Sequence, residues 1–299
     1  MEGDGVAHRG AILITGTSTG IGHATAILLD RAGYTVFAGV RKVQDAARLR
    51  SEASALLCPV ILDITDQAQI DTALAFIRER LGSEGGLQGL VNNAGRGEAG
   101  PMELIAIDRL RYQLEVNLVG HVALIQACLP LIRRGHGRII NIGSAAADFP
   151  MPFLGAYAAS KSAMFITSTV LRRELRWWGI PVSIIQTGFV HSAIWNDADK
   201  QIEAIRREDV HGMYSDRTEA FYQLLEPPLR IGTSPSVIAA AVKKALEARR
   251  PRAVYRRGPG SHLAAIANLL PEALLHRVLD RLANRGRRRP RQGARSARG

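Results

Sequence analysis

With 299 residues, 46% hydrophobic and 5% aromatic, the chain has the composition of a soluble globular protein with one large core or two small ones. Its two cysteines, Cys58 and Cys128, lie far apart and fit no metal-ligand spacing, so no metal site is expected and reduced thiols in a reducing compartment are. The formal charge of +12 invites a nucleic-acid reading, but eight arginines and no acidic residue stand from Arg281 onward, which leaves +4 for the remainder.

Residues 1–10 are a polar leader without the basic-then-apolar pattern of a secretory signal, and no run of about 18 uninterrupted apolar residues offers a bilayer span, so a cytoplasmic protein is expected. Ala11-Ile-Leu-Ile-Thr15 is an apolar run that stops at Gly16, as a strand buried on both faces would. Gly20-Ile-Gly22 opens a helical pattern through Ala24, Ile27 and Leu28 that ends near Gly33. Strands are expected over residues 34–40, 57–62 and 87–91, separated by helices around 45–53 and over the stretch carrying Ile70, Leu74 and Ile77. A long helix follows from about 107 to 133, then a strand at 138–142, a helix bearing Tyr157 and reaching Trp178, a sixth strand at 182–186 and an edge strand at 253–255. Strands alternating with helices of this length imply parallel βαβ units, and no linker interrupts them. The expected fold is therefore α/β: one Rossmann-type, doubly wound parallel sheet of about seven strands within a single domain, residues 11–283.

Between 190 and 230 the pattern degrades, leaving two readings: a partly helical flap over an apolar cavity, or a pair of surface helices. Residues 262–283 keep leucines at helical spacing across Pro271, as two short amphipathic helices that pack on the core or a partner subunit. Basic residues beside that face leave peripheral membrane association open. Residues 284–299 read as a disordered arginine-rich tail, with nucleic-acid contact not expected. Trp177 and Trp178 are expected to pack.

Thr15-Gly-Thr-Ser-Thr-Gly-Ile-Gly22 sets Gly16, Gly20 and Gly22, with Thr17, Ser18, Thr19 and Ile21, between a buried strand and a helix. Glycine there lets backbone amides approach a pyrophosphate at the amide end of the helix. After the second strand, Phe37-Ala-Gly-Val-Arg41-Lys42 presents no carboxylate to an unmodified ribose. Arg41 can instead form paired, charge-assisted bonds to a 2′-phosphate, with Lys42 or a hydroxyl of Thr17 or Ser18 assisting, so NADP(H) is expected in preference to NAD(H). Tyr157-Ala-Ala-Ser-Lys161 puts a phenol and an ammonium on one helical face, where the cation can stabilise a phenolate.

Together with Asp63 in Leu62-Asp-Ile-Thr65, Asn92-Asn-Ala-Gly95, Asn117 and Ser144, these motifs stand in the order and approximate spacing of the short-chain dehydrogenase/reductase family, which the chain resembles over about residues 11–255. Val-Phe-Ala-Gly-Val-Arg41, and Tyr255 leading through Gly258 into the leucine-rich C-terminal stretch, resemble the hydroxysteroid and retinol dehydrogenase-like reductases. The resemblance implies that Tyr157 exchanges a proton with the substrate oxygen, Lys161 holds the nicotinamide ribose and lowers the tyrosine's pKa, Ser144 bonds the carbonyl, and Asn117 anchors a water joining the lysine to solvent. A physical reason stands beside it: hydride reaching a carbonyl carbon builds charge on oxygen, where a proton donor and a second hydrogen-bond donor must meet. By the same resemblance Asp63 and Ile64 bracket the adenine, Asn93, Ala94 and Gly95 line the cofactor groove, and Gly188, Val190 and Ser192 meet the nicotinamide end. Ile194 and Trp195 join Ser144 and Tyr157 in the expected substrate pocket. One departure is Gln186-Thr-Gly188-Phe-Val190, with threonine where the family usually has proline, from which looser loop geometry is expected.

The expected function is an NADP(H)-dependent oxidoreductase interconverting a carbonyl and an alcohol on a lipophilic substrate of steroid-, retinoid-, terpenoid- or fatty-chain-like character. The alternative is a non-catalytic NADP(H)-binding regulatory or scaffold protein. Relatives of this type pair through the helices carrying Asn117 and Tyr157, which implies a homodimer or homotetramer.

Overall fold

The computed structural model describes residues 9–191, 203, 205–209, 211–214, 217, 232–267, 269–275 and 277. Ser192, Ile194 and Trp195, most of the 190–230 segment and the arginine-rich tail lie outside the described residues. β1 (Ala11–Ile14), β2 (Thr35–Val40), β3 (Leu57–Ile61), β4 (Leu87–Asn92), β5 (Arg138–Ser144), β6 (Val182–Thr187) and β7 (Val254–Arg257) form one parallel sheet in the order β3-β2-β1-β4-β5-β6-β7.

Alternation along each strand divides the core. Ile12 and Ile14 of β1, with Val36 and Ala38 of β2, face α1 (Gly20–Arg31) and α7 (Pro235–Glu247). Ala11, Leu13 and Phe37 face the other way, toward α3 (Gln67–Leu81) and α5 (Gly120–Arg134). A parallel sheet so covered buries most of both faces, which is why strands such as β1 read as continuous apolar runs. Burying one leucine or isoleucine in such a layer stabilises by about 1.5–3 kcal/mol. Cys128 lies in this core, where burial pushes its thiol up to about 12, so it stays protonated and inert.

The remaining helices are α2 (Val43–Glu52), α4 (Ile107–Leu114), α6 (Gly155–Leu175) and α8 (Ser261–Ala267). α4 runs into α5 through a π-helical turn, Glu115–Val119, where apolar spacing alone predicts unbroken α-helix. The whole stretch Ile107–Arg134 is long and apolar enough to cross a membrane, yet 44% of its most apolar window is buried, and α5 packs on β4 and α3.

The sequence reading also missed α7. Its start is marked by Ser234, whose hydroxyl accepts from Ser236 N, and by Pro235 in the first turn, where a missing N–H costs nothing. Two further expectations are corrected. Trp177 and Trp178 do not pack inward but are 78% and 56% exposed, with the Arg133 guanidinium 5.3 Å from the Trp178 ring. The sixth strand does not loosen at Thr187: that residue closes β6 in register with Arg257, its hydroxyl donates to Gly143 O at 3.1 Å, and Gly188 N donates to Arg257 O at 2.7 Å.

Candidate active site

Strand order reverses at β1, which lies between β2 and β4, so the loops leaving β1 and β4 diverge and open a crevice at the carboxyl ends of the strands. The glycine-rich loop fills one lip. Gly16 has φ +66° and Gly20 φ +60°, and a Cβ on Gly22 would sit 2.2 Å from Gly16 O, so a side chain there would break the turn. α1 has no side-chain cap on its first turn and no acidic residue there, leaving its amide end free for an anion.

Thr15, which the sequence reading did not single out as a site residue, ties the two lips together. Its buried hydroxyl accepts from Asn93 N and Ala94 N, both at 2.9 Å, while Asn93 Nδ2 donates to Thr15 O and Gly16 O, also at 2.9 Å. A polar residue ending an apolar strand was the available signal. Asn92 points away from the crevice, donating to Asn141 Oδ1 at 2.8 Å in the core.

At the far end of the crevice Arg41 and Lys42 are exposed after β2. Thr17 is buried, its hydroxyl proton given to Gly39 O at 3.0 Å. Arg48 on α2, absent from the sequence reading, donates to Ser18 O at 2.6 Å and pairs with Asp45 at 3.0 Å, so a second guanidinium borders the loop. Asp63 accepts from Thr65 N and Oγ1 at 3.0 and 2.8 Å, a local turn that fixes the backbone of Ile64, itself buried against Gly120.

The reactive candidates converge beside Gly95. Tyr157 lies beside Ser144, whose hydroxyl lowers the phenol's pKa, and the Lys161 ammonium is 5.8 Å from the Tyr157 ring centroid and donates to Ile142 O at 3.1 Å. A Cβ on Gly95 would lie 3.5 Å from Asn117 Oδ1 and 3.7 Å from Lys161 Nζ. Asn117 accepts from Arg96 N, and its amide donates to Arg96 O and to Ser160 Oγ, each at 3.0 Å. Ser160 in turn donates to Tyr157 O at 2.7 Å. The serine inside Tyr157-Ala-Ala-Ser-Lys161 thus links the π turn to α6, a role sequence spacing alone does not reveal. Burial pushes the Tyr157 phenol up, with the Ser144 hydroxyl pulling the other way, and pushes the Lys161 ammonium down to about 8.

A small apolar cluster lies near this site in the chain. Ala99 and Leu154 are buried with Met151, Phe153 and Phe189 against them, immediately before Tyr157 in the chain and after β6. Residues of the 190–230 segment that the structure describes sit on the loop after Gly95: Ile205 lies 3.5 Å from where a Cβ on Gly100 would be, Arg109 and Glu208 pair at 3.7 Å, and Tyr214 donates to Glu103 at 2.5 Å. Beneath them Glu98 is buried between Arg96 and Arg109.

Residues 10–203 match the family model for short chain dehydrogenases. The chain is 32% identical over 284 residues to an estradiol 17-beta-dehydrogenase 2 from Mus musculus, covering 91% of this chain and 74% of that one. It is 30% identical over 272 residues to an NADPH-dependent 3-dehydrocapnine reductase from Ornithobacterium rhinotracheale, covering 89% and 94%. A crystal structure of a short-chain dehydrogenase from Streptomyces avermitilis superposes with a TM-score of 0.73 at 26% identity, over 93% of this chain and 97% of that one.

Proposed function

The chain belongs to the short-chain dehydrogenase/reductase family, and from that premise we propose that it is an NADP(H)-dependent reductase of carbonyl groups on lipophilic small molecules. That it is an oxidoreductase using a nicotinamide dinucleotide follows from the family itself. The observation that carries the finer reading is the convergence of the buried Tyr157 phenol, the buried Ser144 hydroxyl that acts on it and the buried Lys161 ammonium.

When bound, the reduced nicotinamide supplies hydride to the carbonyl carbon. Tyr157 gives its proton to the oxygen on which charge develops, and Ser144 offers that oxygen a second hydrogen bond. Burial keeps the phenol protonated at neutral pH, the form a proton donor to the carbonyl oxygen needs. Lys161 keeps a cation near the phenol and the ribose. The turn from Thr15 to Gly22 and the uncapped end of α1 suit the pyrophosphate, while Arg41, Lys42 and Arg48 suit a 2′-phosphate. The apolar cluster at Ala99, Met151, Phe153, Leu154 and Phe189 suits a lipophilic substrate, and the names of the mouse and Ornithobacterium relatives support the steroid-like and NADPH halves of the reading.

The test is NADPH oxidation followed by absorbance against paired lipophilic and hydrophilic ketones. Lipophilic ketones should turn over faster, and Tyr157→Phe should lower turnover by about 10²- to 10⁴-fold while NADPH still binds. Preference for the hydrophilic set, or a Tyr157→Phe variant as active as its parent, defeats the proposal.

A further inference from the structure

A hydroxyl that steadies a developing oxyanion must be held still while the charge gathers. Ser144 closes β5, and the chain then makes a single 3-10 turn, Ala145–Ala147. The serine oxygen accepts from Ala146 N at 3.2 Å, so the turn fixes that oxygen and leaves its proton to be given. Asp148 N and Phe149 N close the turn on Ala145 O at 3.0 and 2.9 Å. Where the turn goes, Ser144 goes, and a shift of about 1 Å at a reacting group costs roughly 100-fold in rate.

The turn is anchored to the far edge of the sheet. Arg256 of β7 donates from Nη1 to Asp148 Oδ2, with Nη2 3.5 Å from Oδ1. The two side chains are 22% and 14% exposed, so water and salt screen this pair far less than a surface one. Gln186 of β6, fully buried, brings Nε2 to 3.5 Å from Asp148 Oδ2. Strand register explains the meeting. Gly143, Gln186 and Arg256 stand level across β5, β6 and β7, on one face of the sheet. At position 143 a side chain has no room, because its Cβ would lie 2.0 Å from Gln186 Oε1. That oxygen is buried without a partner, a cost an apolar residue would avoid, and the side chain's bond to Asp148 is what the glutamine gains in exchange. From α6, Ser162 donates to Ala147 O at 3.3 Å.

We propose that Asp148 and Arg256 are positioning residues, whose ion pair, backed by Gln186, holds the turn after β5 so that Ser144 presents its proton to the substrate oxygen. Neither side chain acts on the reacting atoms directly. The inference rests on the role proposed for Ser144 in carbonyl reduction.

The experiment is steady-state turnover, at saturating NADPH, of the lipophilic ketone that the chain reduces fastest. Asp148→Asn, Arg256→Gln and Arg256→Lys are each measured alone and together with Ser144→Ala. Ser144→Ala by itself should lower kcat about 100-fold, as loss of one hydrogen bond to a developing oxyanion does. In the parent, Asp148→Asn and Arg256→Gln should each lower kcat roughly 10-fold, with KM and the NADPH dissociation constant unchanged. Arg256→Lys, which keeps the charge and loses the fork, should lower it roughly 3-fold at an unchanged thermal midpoint, and so carries the test if the other two variants do not fold. Beside Ser144→Ala the same changes should cost nothing further, a result that a merely structural ion pair would not give. Equal losses with and without Ser144, or a kcat for Arg256→Lys equal to the parent's, overturn the proposal. Opposite effects of Asp148→Asn and Arg256→Gln overturn it too, by showing that the pair acts through its charge and not through the turn. A Ser144→Ala variant as active as its parent removes the role given to Ser144 and this inference with it, whereas an impaired Ser144→Ala beside unimpaired Asp148 and Arg256 variants leaves the reductase reading standing and sinks the inference alone.

Discussion

Burial acts on Tyr157 and Lys161 in opposite senses, raising the phenol and lowering the ammonium to about 8, yet at neutral pH the result is a neutral acid beside a cation. That pairing is what a carbonyl reductase needs before its cofactor arrives. Arg41, exposed after β2, is proposed to act by a different logic, through a 2′-phosphate that only one of the two nicotinamide dinucleotides carries. Charge-assisted bonds of this kind contribute about 1.5–3 kcal/mol, or roughly 10- to 100-fold in affinity. Arg41→Ala should therefore weaken NADPH by roughly that factor and leave NADH almost untouched, as read by fluorescence titration of both. An unchanged ratio would show that Arg41 is a solvated loop residue and that Arg48 or Lys42 carries the selectivity.

At the scale of elements, the glycine loop, Tyr157 and Lys161 were legible because each needs a residue type at a spacing the backbone enforces. The π turn at Glu115–Val119 was not, since the one-residue slip in hydrogen bonding that defines it leaves apolar periodicity almost intact. That turn places Asn117 against Arg96 and Ser160, and one helical turn later His121 donates from Nε2 to Ala94 O at 2.8 Å, pinning the start of α5 to the loop after β4. A carbonyl only accepts, so Nε2 carries the proton and the ring is neutral, with Nδ1 buried and unpartnered. Burial, with Lys161 adding to it, holds His121 down at about 4. The unfolded chain takes up this proton below about 6.5 while the fold refuses it, so the histidine's contribution is complete above that pH and is lost as pH falls toward 4, about 3 kcal/mol at most. Denaturant unfolding across pH 7 to 4 should show a shallower decline for His121→Gln than for the parent. Parallel declines would mean that His121 is charged or exposed in the fold.

Across the whole molecule, the sheet buries its own faces but leaves one side of the α4–α6 layer uncovered. Tyr112 and Val119 are 41% and 47% exposed on the helix carrying Asn117, and Ile166 and Val170, one turn apart on α6, are 60% and 42% exposed. Composition did not announce this face, because exposed and buried apolar residues look alike in a sequence; only the packing of α6 on β5 and β6 shows which side is left over. Tyr157 and Lys161 look inward from the same helix, so a subunit packed on its outer side would hold the catalytic side in place without touching it. Pairing through these helices is the assembly expected of the chain. Light scattering during size exclusion should give a multiple of 32.4 kDa, and Ile166→Glu with Val170→Glu, which would bury two unpaired carboxylates at the contact, should reduce that mass while NADPH binding persists. A parent already at 32.4 kDa, or a double variant of unchanged multimeric mass, would place the contact elsewhere and leave α6 to be held by the sheet, Ser160 and Asn117 alone.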